Sequence, residues 1–362
     1  MKIALLTGGG DCPGLNAVIR SVVRTTINDF KGSVLGIRDG FEGLVEGWTV
    51  PITLDNVADI IDLGGTILGT SNRANPFKYP VRHHVTKEIR YEDSSKRALK
   101  LLKEEKCDAL VCVGGDGTMT FAKRFSEQGV PMVGIPKTID NDVPGTERTV
   151  GYYSAVHTAT EAIDKLHTTA ASHHRVMIIE VMGRNAGWLA IGSGMAAGAD
   201  IILIPELPFS LEKIYKRVQE RSKKGRRFTI IVVAEGAFPK GGEQVVKRKV
   251  ADVTEPIRLG GISHWLAKSI EENTDLEARA VVLGHVLRGG SPIYQDRLLA
   301  TCLGYDAIHR LAKGEHGIMV GWGKGEHHAV RLQDIPSGVR LIPPNHDWIA
   351  ICRAMSTIFA EG

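Results

Sequence analysis

Short apolar runs recur along this chain, each ending in a turn and a helical pattern, and they constrain its fold more than any other feature. They are Lys2 to Thr7, Ala109 to Val113, Met132 to Ile135, Val176 to Val181, Ile201 to Ile204, Phe228 to Ala234 and Ala280 to Leu283. Runs that are apolar throughout, rather than alternating, suit strands buried on both faces. That is the condition of parallel sheets covered by helices. After the first run, Val18, Val22, Val23, Ile27 and Phe30 recur at helical spacing, so the first unit reads as strand, glycine loop, helix. Leu211, Ile214 and Val218 mark another amphipathic helix. The fold class read from this order is α/β, and the number of strands suits two parallel-sheet lobes facing each other across a cleft.

Polar side chains follow these strands at their C-terminal ends: Asp116, Asp140, Arg184, Glu235, and then His285 with Arg288. Open α/β sheets bind ligands along that edge. No Ser-rich, Pro-rich or low-complexity linker separates two halves, and the boundary is placed near Gly151. The charged stretches 82–106 and 240–258 read as solvated insertions or helices. HDWIAICRAMSTIFAE reads as a terminal helix with Trp348, Ile351, Met355 and Phe359 on one face.

A chain of 362 residues, 43% hydrophobic and 24% charged, can bury a core in one large or two ordinary domains. Its formal charge of +4 is small, and Lys and Arg are scattered rather than gathered into a block that would follow nucleic acid or an anionic membrane. Small acidic molecules remain candidate ligands. Cys12, Cys107, Cys112, Cys302 and Cys352 are odd in number and lack CxxC spacing, which argues against a disulfide framework or a zinc site and for a reducing cytoplasm. No stretch is apolar enough to span a bilayer.

Two loops carry phosphate chemistry. Gly8, Gly9 and Gly10 let backbone N–H groups turn inward at the start of a helix, though the segment by itself suits an empty tight turn equally well. In VCVGGDGTMT, Asp116 sits between glycines after a strand, where its carboxylate can reach a Mg²⁺ shared with polyphosphate oxygens. The string GGDGT also occurs in NAD kinases and lipid kinases, so it does not name the acceptor. No GxxxxGK[ST] segment points to a P-loop NTPase.

The remaining motifs are PKTIDND (136–142), HHRVMIIEVMGRNAG (173–187), AEGA (234–237) and VLGHVLRGGSP (282–292). Together with TGGGDCPGLNAVIR they resemble, in order and over most of residues 1–312, the 6-phosphofructokinases. The resemblance implies phosphoryl transfer from MgATP to the 1-hydroxyl of fructose 6-phosphate. It also implies a nucleotide-binding lobe over 1–151 plus about 287–337, and a sugar-phosphate-binding lobe over 152–286 plus 338–362. The nucleotide would meet Gly9, Gly10, Arg73, Gly115, Asp116, Gly117 and Thr118, with Asp116 on Mg²⁺. Asp140 matches the proton acceptor, with Thr138, Ile139 and Asp142 beside it, and Arg184 matches the cation that bridges the transferring phosphoryl group and the sugar phosphate. Met182, Gly183 and Glu235 match contacts to the sugar, and His285, Val286, Leu287 and Arg288 surround its 6-phosphate. Arg175 and Arg279 match arginines lent by a neighbouring subunit, which implies a homo-oligomer, dimer or tetramer, with shared active sites and with neither nucleic acid nor membrane as partner.

Family members use either ATP or pyrophosphate, and two positions bear on the choice. Gly117 resembles ATP users, because a side chain there would crowd the α-phosphate, and pyrophosphate users carry Asp. Lys137 resembles pyrophosphate users, and also a mixed group of ATP users. Steric exclusion is harder to evade than a mobile lysine, so ATP is the expected donor.

Overall fold

The computed structural model describes residues 1–72, 74–82, 88–249 and 257–362. In chain order its strands and helices begin with β1 (Lys2–Thr7), α1 (Leu15–Asn28), β2 (Ser33–Ile37), α2 (Gly40–Glu46) and β3 (Thr49–Ile52). There follow β4 (Tyr79–Arg82), β5 (Ile89–Glu92), α3 (Ser95–Glu104), β6 (Ala109–Gly114), α4 (Asp116–Glu127), β7 (Met132–Pro136) and α5 (Tyr152–His173). Next come β8 (Val176–Val181), α6 (Trp188–Ala196), β9 (Ile201–Leu203), α7 (Leu211–Lys223), β10 (Thr229–Ala234), β11 (Val246–Lys249) and β12 (Ile257–Leu259). The chain closes with α8 (Ile262–Asn273), β13 (Ala278–Val282), α9 (Tyr294–Ala312), β14 (Ile318–Gly323), β15 (Glu326–Arg331) and α10 (Asp347–Ala354).

These elements form two compact units. The first comprises Met1–Ser154 and Arg288–Gly338. Its sheet runs β15-β14-β7-β6-β1-β2-β3, parallel from β14 to β2 and closed at each side by an antiparallel strand. From β1 the chain proceeds to β2 and β3 on one side, whereas β6 and β7 lie on the other. The order therefore reverses between β1 and β6, and a crevice opens beyond their C-terminal ends. The Gly8 N–H donates to the Val113 carbonyl at 2.9 Å across that reversal. Below it, Phe41 of α2 stacks on Phe125 of α4 with centroids 6.0 Å apart, which fixes α4 behind the crevice.

The second unit comprises 155–249, Ile257–Leu287 and Val339–Gly362 among the described residues. Its four strands run β13-β8-β10-β9, all parallel. Here the order reverses between β8 and β13. Glu180 of β8, 2% exposed, accepts from the Gly261 and Ser263 N–H groups, both at 3.0 Å, and from Ser263 Oγ at 2.7 Å. A buried carboxylate thus caps α8, where the helix dipole favours negative charge. Val176, Ile178, Ile231 and Val233 face Ile214 and Val218 of α7 in this unit's core, as the spacing of α7 required.

One expectation needs correction, and two are met in part. The terminal helix stops at Ala354, because Ser356 adopts a left-handed φ of 68° and the chain then extends, with Ile358 bridging Ile201. The face buried by α10 is Ile349 and Cys352, while Met355 is 72% exposed, and Phe359 is buried from the extended segment. Stretch 240–258 contributes β11 and β12, an antiparallel pair, rather than a helix; 250–256 lie outside the described residues. Stretch 82–106 is mixed: β5 precedes α3, and 83–87 lie outside the described residues.

Candidate active site

In the first unit the loops after β1 and β6 meet at the strand-order reversal. Gly9 holds a φ of 76°, a conformation glycine adopts without cost. It is pinned by its N–H to the Ser71 carbonyl at 3.3 Å and by Thr70 Oγ1 to its own carbonyl at 2.6 Å. Thr70 and Ser71 are positioning residues that motif reading missed, since nothing in TSN distinguishes them from an ordinary loop. Arg73, expected beside them, lies outside the described residues.

Asp116 is the first residue of α4, exposed, with Gly115 as the residue before the helix. Thr118 is buried in the same turn. A Cβ added at Gly117 would meet no heavy atom within 4 Å, so the protein itself leaves that position open. What lies there must be excluded, if at all, by a ligand.

Lys137 bridges the two loops. It is 2% exposed, and its Nζ donates to the Gly8 carbonyl at 2.9 Å and to the Gly10 carbonyl. Its backbone N–H donates to the Gly114 carbonyl at 2.9 Å. Burial, with Arg288 adding repulsion, pulls its pKa down to about 8. Arg288 donates from Nη1 to the Asp11 carbonyl at 3.0 Å and lies over Gly10. Cys12, buried under the loop, donates to the Val150 carbonyl at 3.4 Å, and burial pushes its thiol up to about 12, so it stays protonated.

The loop 138–142 leaves β7 at the same edge. Asn141 has a left-handed φ of 51°, and its side chain anchors the turn by accepting from the Thr149 N–H at 3.0 Å and donating to the Glu147 carbonyl at 3.1 Å. Thr149 Oγ1 donates to the Thr138 carbonyl at 2.7 Å. Within the turn the Asp140 N–H donates to Thr138 Oγ1 at 3.1 Å. Ile139 and Asp142 are buried, which holds the Asp140 backbone between two fixed points. Gly115 packs against this loop, its added Cβ lying 3.7 Å from the Lys137 carbonyl and 4.0 Å from Thr138. Asp116, Gly117, Lys137, Thr138 and Asp140 are thereby gathered at one edge.

In the second unit Met182, Gly183 and Arg184 follow β8, and Glu235 follows β10 beside it. The Glu235 N–H donates to the Val181 carbonyl at 2.9 Å, and the Gly236 N–H to the Gly183 carbonyl at 3.1 Å. Gly183 takes a φ of 134°, where a side chain would be strained. Gln244 clamps both turns, donating to the Arg184 carbonyl at 3.1 Å and the Gly236 carbonyl at 2.9 Å. Sequence reading missed it within a charged run. Across the reversal, the Leu283 N–H donates to the Glu180 carbonyl at 3.0 Å, setting the short 3₁₀ turn Gly284–Arg288 next to β8. Leu287 anchors that turn, while His285 and Val286 are exposed.

Arg175 and Arg279 are not gathered with Arg184. Arg175 precedes β8, Arg279 pairs with Met177 in register, and Glu277 joins the two arginines, accepting from Arg175 Nε at 2.7 Å and from Arg279. Their cations hold the Glu277 carboxyl below its ordinary range. A six-residue strand at about 3.3 Å per residue separates this cluster from Arg184 and Glu235 by about 20 Å.

The phosphofructokinase family model matches residues 2–311. The chain is 46% identical over 361 residues to the ATP-dependent 6-phosphofructokinase 2 of Clostridium perfringens (strain 13 / Type A), covering 99% of this chain and 98% of that one. It is 45% identical over 344 residues to the pyrophosphate–fructose 6-phosphate 1-phosphotransferase of Amycolatopsis methanolica, covering 95% and 97%. Among solved structures, phosphofructokinase from Saccharomyces cerevisiae aligns with a TM-score of 0.78 at 32% identity, over 92% of this chain and 45% of that chain.

Proposed function

The chain belongs to the phosphofructokinase family, and we propose that it transfers the terminal phosphoryl group of ATP to the 1-hydroxyl of fructose 6-phosphate. The observation that carries this reading is the meeting of two glycine loops, a buried lysine and the Asp140 turn at the strand-order reversal of one sheet. In this reading the first unit holds the donor. Its phosphates lie against Gly9, Gly10 and Gly115 to Thr118, where the start of α4 and its dipole favour anions. Among the described residues no cluster of three or more His, Cys, Asp or Glu forms a metal cage. A single carboxylate, Asp116, fits Mg²⁺, which binds by one or two carboxylates and completes its shell with water and phosphate oxygens. When bound, the ion neutralises charge on those oxygens.

Asp140 takes the proton of the 1-hydroxyl as that oxygen attacks phosphorus, and Thr138 and Asp142 keep the carboxylate in place. Arg184 neutralises charge that grows on the transferring group, a task for a guanidinium that remains charged throughout. Glu235 accepts from a sugar hydroxyl beside Met182 and Gly183, and His285 with Arg288 holds the 6-phosphate. The separation of Arg175 and Arg279 from Arg184 supports their service to a second copy's site, and hence a homo-oligomer. The cytoplasm is the proposed location, consistent with five free cysteines; among the described residues no helix is long and apolar enough to cross a membrane.

Pyrophosphate as donor is a second reading, favoured by one observation: the Lys137 ammonium rests on carbonyls rather than on a carboxylate. Gly117 supports ATP, because a Cβ added there meets no protein atom within 4 Å and the space suits an α-phosphate. Replacing Asp140 by Asn keeps the shape and removes the base. Turnover should fall by about 10² or more with fructose 6-phosphate binding retained, and an unchanged rate would remove Asp140 from its role.

A further inference from the structure

Outside this site, α7 and the C-terminal segment that follows α10 border a cavity of about 440 Å³. Lys213, Lys216 and Arg217 reach it from one face of α7, at the three- and four-residue spacing that brings side chains together, and Arg353 reaches it from α10. The acids there are Glu220, 3.9 Å from Lys216, and Glu361, paired with Arg353. Asp200, whose carboxylate also feels Arg217, is taken by Arg221 at 2.8 Å. Lys213 and Arg217 otherwise donate to main-chain carbonyls, those of Glu361 and Ser356. Four cations against two carboxylates leave two positive charges over. Among the described residues the Arg217 Nε–H is buried with no acceptor, a costly state for a charged donor.

We propose that this cavity binds a small phosphorylated metabolite, a phosphate monoester. Its dianion matches the excess charge, since a monoester carries about two negative charges at neutral pH. Arg217 and Arg353 supply the planar donor forks that suit phosphate, and Lys216 adds a point charge. The volume lies within the range of small-molecule sites, and Ile358 offers the carbon skeleton an apolar wall. Because Ile358 bridges Ile201, the ligand ties α7 to the segment that lengthens the edge of the sheet at β9. Nothing in the phosphoryl-transfer reading uses these residues, so the site stands or falls separately from it.

The test is calorimetric titration of glycerol 3-phosphate into the native protein and into Lys216→Gln and Arg217→Gln variants, with crystals soaked in tungstate to locate the anion. Lys216 has a side chain 76% exposed, so its replacement leaves the fold intact even if loss of Arg217 loosens the tail. Each variant should weaken binding about tenfold, and tungstate should lie between Arg217 and Arg353. Turnover without the probe should be unchanged in Lys216→Gln. Absence of binding by the native chain, equal affinity in all three proteins, or tungstate only at the glycine loops would overturn the proposal.

Discussion

Replacing Lys137 by Met should make the protein more stable at neutral pH, although it deletes two hydrogen bonds. Burial lowers the folded-state pKa of Lys137 from 10.5 to about 8. At about 1.4 kcal/mol for each factor of ten, keeping this ammonium charged costs the folded state about 3 kcal/mol. The penalty is present in full below pH 8, where folded and unfolded chains are both protonated. It fades between pH 8 and 10.5, where the unfolded chain holds the proton that the folded chain has released. Stability therefore rises with pH through that window. Met fills the same volume without charge, but it strips donors from the Gly8 and Gly10 carbonyls, which costs about 1–2 kcal/mol in partly solvated positions. The net gain at pH 7 is about 1–2 kcal/mol, and it should vanish or reverse by pH 10. Calorimetric melting of both proteins at pH 7 and pH 10 measures it. A variant that melts lower at pH 7 by the same margin as at pH 10 would refute the claim that a buried charge is held there at a cost. In the reading proposed above the same charge meets donor phosphate, so donor kcat/KM should fall above pH 8 in the native protein and stay flatter in the variant.

Gly117→Asp should fold normally, since its Cβ meets no protein atom within 4 Å and an acid is favourable in the first turn of α4. Like charge about 5 Å from an α-phosphate, at an effective dielectric near 20, costs about 3 kcal/mol, so kcat/KM for ATP should drop roughly 10²-fold with fructose 6-phosphate affinity kept. An unchanged ATP rate would remove the steric and electrostatic role of Gly117. Mixing Asp140→Asn chains with Arg279→Ala chains under exchange should restore about a quarter of native activity if random dimers share sites. No recovery despite demonstrated exchange would place each site within one chain.

The sequence disclosed the parts of the fold whose physics is local. Strands β1, β6, β7, β8 and β10 are buried on both sides, so their runs are apolar and their ends sharp. Edge strands β3 and β15 face solvent, and TVPI and EHHAVR carry no comparable signal. The tail was misread because Trp348, Ile351, Met355 and Phe359 fit a helical period, which a single left-handed residue at Ser356 interrupts. The strand-end placement of Asp116, Asp140 and Arg184 was legible from motif, whereas Gln244 and Glu277 reach Arg184 and Arg175 through contacts distant in sequence. Net charge hid this cavity, since only folding brings Arg353 and Glu361 to Lys213, Lys216 and Arg217 of α7.

The central claim is tested most directly by the steady-state rate of fructose 1,6-bisphosphate formation from fructose 6-phosphate and Mg²⁺, with ATP and pyrophosphate supplied separately at matched concentrations. Faster turnover with ATP is expected, because Gly117 leaves room for the α-phosphate. Faster turnover with pyrophosphate would show that Lys137 governs the donor, and no product with either would contradict the assignment of the reaction itself.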